Sequence, residues 1–294
     1  MKKIICLFFI VASLSVKAQT NLSKPRIIYG VCTKDSLLSA PFSDWFSPGY
    51  DDYKSNTTSI SLLKKQAADN ISIDIFFGSW CGDSKREVPR FLKLLQEISF
   101  PANKVRLIGL GGSDSLTKQS PQHEEAGKGI FRVPTFIIYK NGTEINRINE
   151  FPVFSLEKDL LQIFSNQHYT PNYGSFTIIK KWLSDGTLTD ENMNNAGLAQ
   201  QLRQPVKDEH ELNSLGYLLV KQDKRKEALR IFQINAYLYP ESANVISSLG
   251  EGYYETGDYK KAIAFLERAL ELNKVPADIK GILEVLYKAK EKNK

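Results

Sequence analysis

The feature that most constrains this chain is the stretch from Ile71 to Pro89, ISIDIFFGSWCGDSKREVP. An apolar run through Ile73, Ile75, Phe76 and Phe77 stops at Gly78, which predicts a buried strand. Beyond Trp80 and Cys81 the apolar period changes. Val88, Phe91, Leu92, Leu94, Leu95 and Ile98 recur at helix-face spacings. Cys81 therefore falls at a strand-to-helix junction, where free backbone N–H groups and the helix dipole favour an anion. A cysteine at a helix start is shifted toward its thiolate, the nucleophilic form.

The surrounding pattern alternates strands and helices. Upstream, Pro25 to Val31 reads as a short strand and Ser61 to Ala68 as a helix. Between them Phe42, Trp45, Phe46, Tyr50 and Tyr53 read as packing under a loop, with a turn at Pro48-Gly49. Downstream, a helix over about 82–99 closes at Phe100-Pro101, and Val105 to Leu110 forms a short buried strand. A polar stretch over 113–129 follows, with a helix expected near Gln122 to Glu125. A strand from Phe131 to Tyr139 turns at Asn141-Gly142 into another at Glu144 to Ile148, since Asn-Gly between apolar runs is a strong hairpin signal. Ser155 caps a last amphipathic helix ending at Phe164. This order predicts an α/β fold, a mixed sheet with helices on both faces.

With Trp-Cys at the end of a β-run and Val133-Pro134-Thr135 opening a later strand, residues 25–166 resemble the thioredoxin superfamily. The nearest likeness is to its exported, TlpA-like thiol–disulfide branch. That branch carries Trp-Cys-x-x-Cys-x-x-Glu-x-Pro; here Trp80, Cys81, Glu87 and Pro89 fall in register, and Ser84 replaces the second cysteine. The resemblance implies that Cys81 is the attacking thiol and that Pro134 follows a cis peptide. It also implies that Trp80, Gly82, Asp83, Val133, Pro134 and Thr135 line the substrate, and that Glu87 is an acid behind the site. Glu87 reads equally as a helix-surface acid paired with Lys or Arg. The Ser84 hydroxyl is expected to donate to the thiolate, Lys85 and Arg86 to add positive charge, and Asp83 to work against the thiolate electrostatically while suiting the helix dipole. Pro89 is expected to kink the helix.

Ser84 decides the chemistry to expect. Exchange proceeds through a mixed disulfide, and a second cysteine normally resolves it. Without one, resolution falls to the substrate's other thiol, an external thiol or Cys32. The expected activity is monothiol exchange of the isomerase or reductase type, acting on protein thiols or disulfides. The same substitution also fits a non-catalytic adaptor built on a degenerate fold. Cys32 reads as structural, and Cys32 and Cys81 are expected not to form a stable disulfide.

The C-terminal part repeats itself. Leu212/Ile246, Gly216/Gly250, Ala228/Ala262 and Phe232/Leu266 are each 34 residues apart, the tetratricopeptide period. The stretch from Tyr253 to Tyr259, with Gly257, supplies the turn within the second unit, and Ile279 to Tyr287 a solvating cap. Such arrays need about three units, so helices near Phe176 to Leu183 and Asp190 to Leu202 are expected to form an irregular first pair. The division expected is a signal peptide over 1–18, a thioredoxin-like domain over 20–166, a helical connector over 167–208, and repeats with a capping helix over 209–294. The all-α solenoid is expected to dock a protein partner.

Lys2-Lys3, the apolar run from Ile4 to Leu14 and Val16-Lys17-Ala18 read as a secretory signal with its cleavage site. The run is too short to span a bilayer, and Cys6 lies inside it. A periplasmic or secreted protein is expected, with no integral membrane segment after cleavage. Loss of Lys2, Lys3 and Lys17 takes the net charge from +6 to +3, too little to argue for nucleic acid. His123, His168 and His210 have no metal-ligand spacing, and Gly109 to Gly112 lacks the lysine of a phosphate loop. No metal and no cofactor is expected.

Overall fold

The computed structural model describes residues 26–66, 70–112, 116–273 and 275–294. The expected signal peptide, its cleavage point and Cys6 lie outside the described residues, as does the expected helix end at Ala68. In the first half, β1 (Gly30–Cys32), β2 (Ile71–Phe77), β3 (Val105–Gly109), β4 (Thr135–Lys140) and β5 (Thr143–Asn149) form one sheet in the order β1-β3-β2-β4-β5. β2 and β3 run parallel, and the other pairings are antiparallel. Central β2 is covered on both faces, which is why it reads as a run of apolar residues rather than an alternation. Asn141 and Gly142 take φ of 53° and 78°, the two left-handed residues that a tight hairpin turn requires.

One face carries α1 (Lys34–Leu38), α2 (Ser43–Asp51), α3 (Thr57–Gln66), α4 (Gly82–Glu97) and α5 (Leu156–Phe164). Leu37, Phe46, Leu63, Phe91 and Leu160 from these helices pack with Ile73, Ile75 and Phe77 of the sheet. Ser155 caps α5 as expected, its hydroxyl accepting from the Lys158 N–H at 3.2 Å. The Pro48-Gly49 turn does not form, because both residues lie within α2. Burial of Phe46 and Tyr50 overrides the local signal, and Gly49 serves close packing instead. A Cβ there would stand 2.9 Å from Cγ of Pro89 in α4.

Phe76, Ile108, Leu110 and Ile137 line the other face, covered by Ile130 and Val133. The helix expected near Gln122 to Glu125 is replaced by turns. Glu125 accepts from the Ser120 N–H at 3.0 Å and from its hydroxyl at 2.5 Å, while the Ser120 hydroxyl accepts from the Glu124 N–H at 3.0 Å. Such local bonds compete with helix. The strand expected from Phe131 begins only at Thr135, after a proline that has no N–H to give the ladder.

The second half is helical: α6 (Ser175–Ser184), α7 (Asn195–Leu202), α8 (Glu209–Lys221), α9 (Arg225–Leu238), α10 (Ala243–Glu255), α11 (Tyr259–Leu272) and α12 (Pro276–Lys292). The 34-residue matches have a shared physical cause. A Cβ on Gly216 would stand 2.3 Å from the Phe232 ring, and one on Gly250 2.7 Å from Leu266. Each glycine thus lets the first helix of a pair rest on the second, and Ala228 and Ala262 are fully buried at equivalent places. α6 and α7 precede these pairs. The Arg230 guanidinium ties their connection to α9 by donating to the carbonyls of Leu188, Met193 and Asp190. Among the described residues, no helix is long and apolar enough to cross a membrane.

The two halves share residues at their join. Tyr169 packs into the sheet core, its hydroxyl donating to Asp159 at 2.9 Å. Phe131, from the loop before β4, packs into the helical core, edge-on to Phe176 at 5.0 Å.

Candidate functional site

Cys81 occupies the N-cap of α4 in extended conformation, and its N–H donates to the Gly78 carbonyl at 2.9 Å. The thiol is partly exposed and donates to the Val133 carbonyl at 3.3 Å. The Val133–Pro134 peptide is cis, so the resemblance's expectation for this loop is met in the geometry. Val133 is buried under the thiol. The Pro134 carbonyl accepts from the Glu150 N–H at 2.6 Å, and the Thr135 hydroxyl donates to the Arg132 carbonyl at 2.7 Å. The loop that faces sulfur is therefore fixed at both ends.

Trp80 forms the neighbouring wall. Its indole N–H donates to the Leu110 carbonyl at 2.9 Å, and its ring rests on two glycines. A Cβ on Gly78 would approach it to 2.6 Å, and one on Gly112 to 2.7 Å. Gly112 thus does more than follow β3: with Gly78 it admits the indole, which keeps 37% of its surface exposed. Gly82, on the other side of Cys81, has open space beside it.

The helix residues after Cys81 take different parts. Ser84 is fully buried, and its hydroxyl accepts from the Gly78 N–H at 3.1 Å. It holds the loop between β2 and α4, and among the described residues it makes no hydrogen bond to the Cys81 sulfur. The expected donation from Ser84 to the thiolate has no counterpart among the described hydrogen bonds, and the hydroxyl oxygen is engaged by the loop N–H. Glu87 is 3% exposed and accepts from the Arg86 Nε at 2.6 Å, with Arg90 at 3.6 Å. Asp83 takes the other end of Arg86 at 2.7 Å. Hydrogen bonding to Glu87 and Asp83 raises the Arg86 pKa. Asp83, expected to act against the thiolate, is thus held in a bridged set whose charges largely cancel.

Two further residues have no signal in the sequence. Lys118 sits in the left-handed region with φ of 54°, its N–H donating to the Gly111 carbonyl at 2.9 Å. Burial, then the charge of Arg132, lowers its pKa to about 8, and the charges of Cys81 and Glu150 act in the opposite direction. Arg132 donates to the Ser214 hydroxyl of α8 at 2.8 Å, lies 4.8 Å above the Tyr173 ring and 3.7 Å from Glu150. Lys118 lies in a polar segment without periodicity, and only the fold brings it near sulfur. Arg132 stands one residue before the Val-Pro pair, which is the clue that was available.

Cys32 is free, like Cys81. It pairs with Leu107 and packs on the helix-covered face, whereas Cys81 packs on the other. Burial pushes the Cys32 thiol up to about 12.

Comparison with known proteins agrees with this geometry. The tetratricopeptide repeat family model matches residues 243–274, which are α10 and α11 with their turn. A thioredoxin of Chlamydia caviae is 32% identical over 93 residues, a span covering 32% of this chain and 78% of the relative. The cysteine at the start of α4 and the cis-proline loop against it are thus features of a chain that belongs to the thioredoxin family and carries a tetratricopeptide repeat in its helical half.

Proposed function

We propose that this protein is an exported, TlpA-like monothiol exchange protein acting through Cys81, with its repeats docking a protein partner. One observation carries the reading: a partly exposed thiol at a helix N-cap, within hydrogen-bond reach of the backbone of a fixed cis-proline loop. The Cys81 thiolate attacks one sulfur of a protein disulfide. The disulfide breaks, the second sulfur leaves as thiolate, and a mixed disulfide forms on Cys81. Resolution comes from the substrate's own thiol, giving isomerisation, or from two small external thiols in turn, which end as their own disulfide and give reduction. Cys32 takes no part, because the sheet separates it from Cys81. The Val133 carbonyl and the Trp80 indole border the entering chain, while Glu87 belongs to the Arg86–Asp83 set behind the helix start.

The test is capture of a disulfide-bonded peptide, read by intact mass without reductant. A Cys81-linked adduct that is lost in Cys81→Ser and kept in Cys32→Ser supports the reading; no adduct in the unaltered protein overturns it. The structural tie made by Ser84 favours a second reading, a non-catalytic adaptor in which the thioredoxin fold is scaffold. Under that reading Cys81→Ser leaves partner capture and the cellular phenotype unchanged. Export is tested by N-terminal sequencing of protein recovered from outside the cytoplasm, with a start at or near Gln19 expected.

A further inference from the structure

A cation held near a thiol, with its charge unanswered, states something about what the thiol meets. Lys118 is fixed in place: its backbone bonds to Gly111, and Gly111 in turn donates to the Gln119 carbonyl at 2.9 Å. A Cβ on Gly111 would stand 2.4 Å from the Leu116 carbonyl, so this loop lies tightly against the end of β3. Its left-handed backbone is a conformation that L side chains adopt at a cost. Among the described residues no carboxylate lies within ion-pair distance of the Lys118 ammonium. The charges that act on it most are Arg132, Cys81, Glu150 and Lys221, two cations against one carboxylate and one thiol.

Arg132 adds to the same deficit. Its Nε is buried without a hydrogen-bond partner among the described residues, where its one ion pair, to Glu150, is long at 3.7 Å. The guanidinium reaches the Ser214 hydroxyl, so α8 of the helical half forms part of this wall. Lys221 closes the same helix. The positive groups thus come from three separate segments, the loop after β3, the cis-proline loop and α8: Arg132 directly precedes Val133, whose carbonyl meets the Cys81 sulfur, and Arg132 and Lys221 both act on Lys118. By contrast Arg86, five residues after Cys81, is already answered by Glu87 and Asp83.

We infer that Lys118 and Arg132 select the substrate of Cys81, which is a disulfide carrying a carboxylate beside the sulfur that is attacked. The inference rests on the exchange function proposed above and specifies its substrate class. The carboxylate answers the two cations as the substrate enters, so the acidic side of the disulfide is the one that becomes bonded to Cys81. The other sulfur leaves as a thiolate, and a small thiolate then attacks the acidic product's sulfur, forming a disulfide with it and returning Cys81 as a thiolate with no change at Lys118. Because an unpaired buried cation is costly and a paired one is not, the site discriminates against neutral chains as well as attracting acidic ones.

The experiment uses the full chain and two disulfide-linked peptide dimers, identical except for Glu or Gln on both sides of the cysteine. The rate of mixed-disulfide formation on Cys81 is followed by mass at low salt. The acidic dimer is expected to react roughly tenfold faster, at the lower end of electrostatic steering. The preference should shrink in 1 M salt, where the Debye length falls to about 3 Å. Lys118→Gln should lose most of the preference, and Lys118→Arg should restore it. Equal rates for both dimers in the unaltered protein overturn the inference while leaving exchange intact. So does an equal slowing of both dimers in Lys118→Gln, since Lys118 would then serve the thiolate alone. Absence of adduct with either dimer overturns the exchange function itself. Should Lys118→Gln fail to fold, the salt dependence of the unaltered protein decides the matter.

Discussion

Cys32 and Cys81 stand in the same domain and on opposite faces of one sheet. Cys32 lies on β1 across from Leu107, packed among residues that α2 to α5 cover, and burial pushes its thiol up to about 12. Cys81 lies just past the end of β2, beneath a loop rather than a helix, with its sulfur on a backbone carbonyl. The difference teaches that the cover, more than the residue type, sets the surroundings of a thiol. Helices seal one face. The other is closed by turns and by a loop that leaves room beside Gly82.

The largest effect expected from this contrast is in labelling. With its thiol at about 12, roughly one Cys32 in ten thousand is ionised at pH 8. Iodoacetamide at pH 8, with site occupancy read by peptide mass, should therefore modify Cys81 on the order of a thousandfold faster than Cys32. Comparable rates would break the contrast. Next comes the join between the halves. Phe131→Ala should cost about 3–5 kcal/mol, the usual loss for a buried phenylalanine. In chemical denaturation it should also change the labelling rate of Cys81 while leaving that of Cys32 unaltered. Equal changes at both cysteines would mean that the loop does not act on one face alone.

Gly112→Ala is a smaller perturbation of the same face. The new Cβ would meet the Trp80 indole at 2.7 Å, and overpacking of this kind costs roughly 1–3 kcal/mol. Loss of tryptophan fluorescence intensity or a blue shift should report displacement of the ring. The smallest effect concerns the sealed face. Cys32 is raised from 9.0 to about 12, so above pH 9 the unfolded chain loses its proton while the folded chain keeps it. Stability contributed by this group is therefore present below pH 9 and declines as pH rises toward 12. The slope is at most about 1.4 kcal/mol per pH unit. Urea melts over pH 8 to 10 should show a shallower decline in Cys32→Ser than in the unaltered protein.

Much of the fold was legible in the sequence because its signals were local. The run of Ile73 to Phe77 named a buried central strand, Asn141-Gly142 a hairpin, Ser155 a cap, and the glycines 34 residues apart a repeat of helix pairs. The misreadings have a common cause in long-range packing. Pro48-Gly49 looked like a turn because the partner that needs a glycine, Pro89, lies forty residues away. Phe131 to Val133 looked like strand because their apolar character serves the helical core and the thiol instead of the sheet. The site was legible to the same degree. Trp80, Cys81 and Pro134 announced themselves by type and spacing, and the structure brings them together. Ser84 could not be assigned a direction, since a hydroxyl gives no sign in sequence of which N–H it will meet. Lys118 and Arg132 gain their importance from Cys81 and α8, neither of which is near Lys118 in the chain.

The four residues from Phe131 to Pro134 have a practical consequence for dissecting this protein. They begin in the core of the repeats and end against the Cys81 sulfur. A cut after residue 166, the natural place by sequence, would leave Phe131 and Arg132 facing water and would remove the Ser214 hydroxyl that Arg132 holds. The first half produced alone would carry an uncovered aromatic beside its own site, and the second half alone would lack a piece of its core. The two halves are best altered by point substitution and studied as one indivisible molecule.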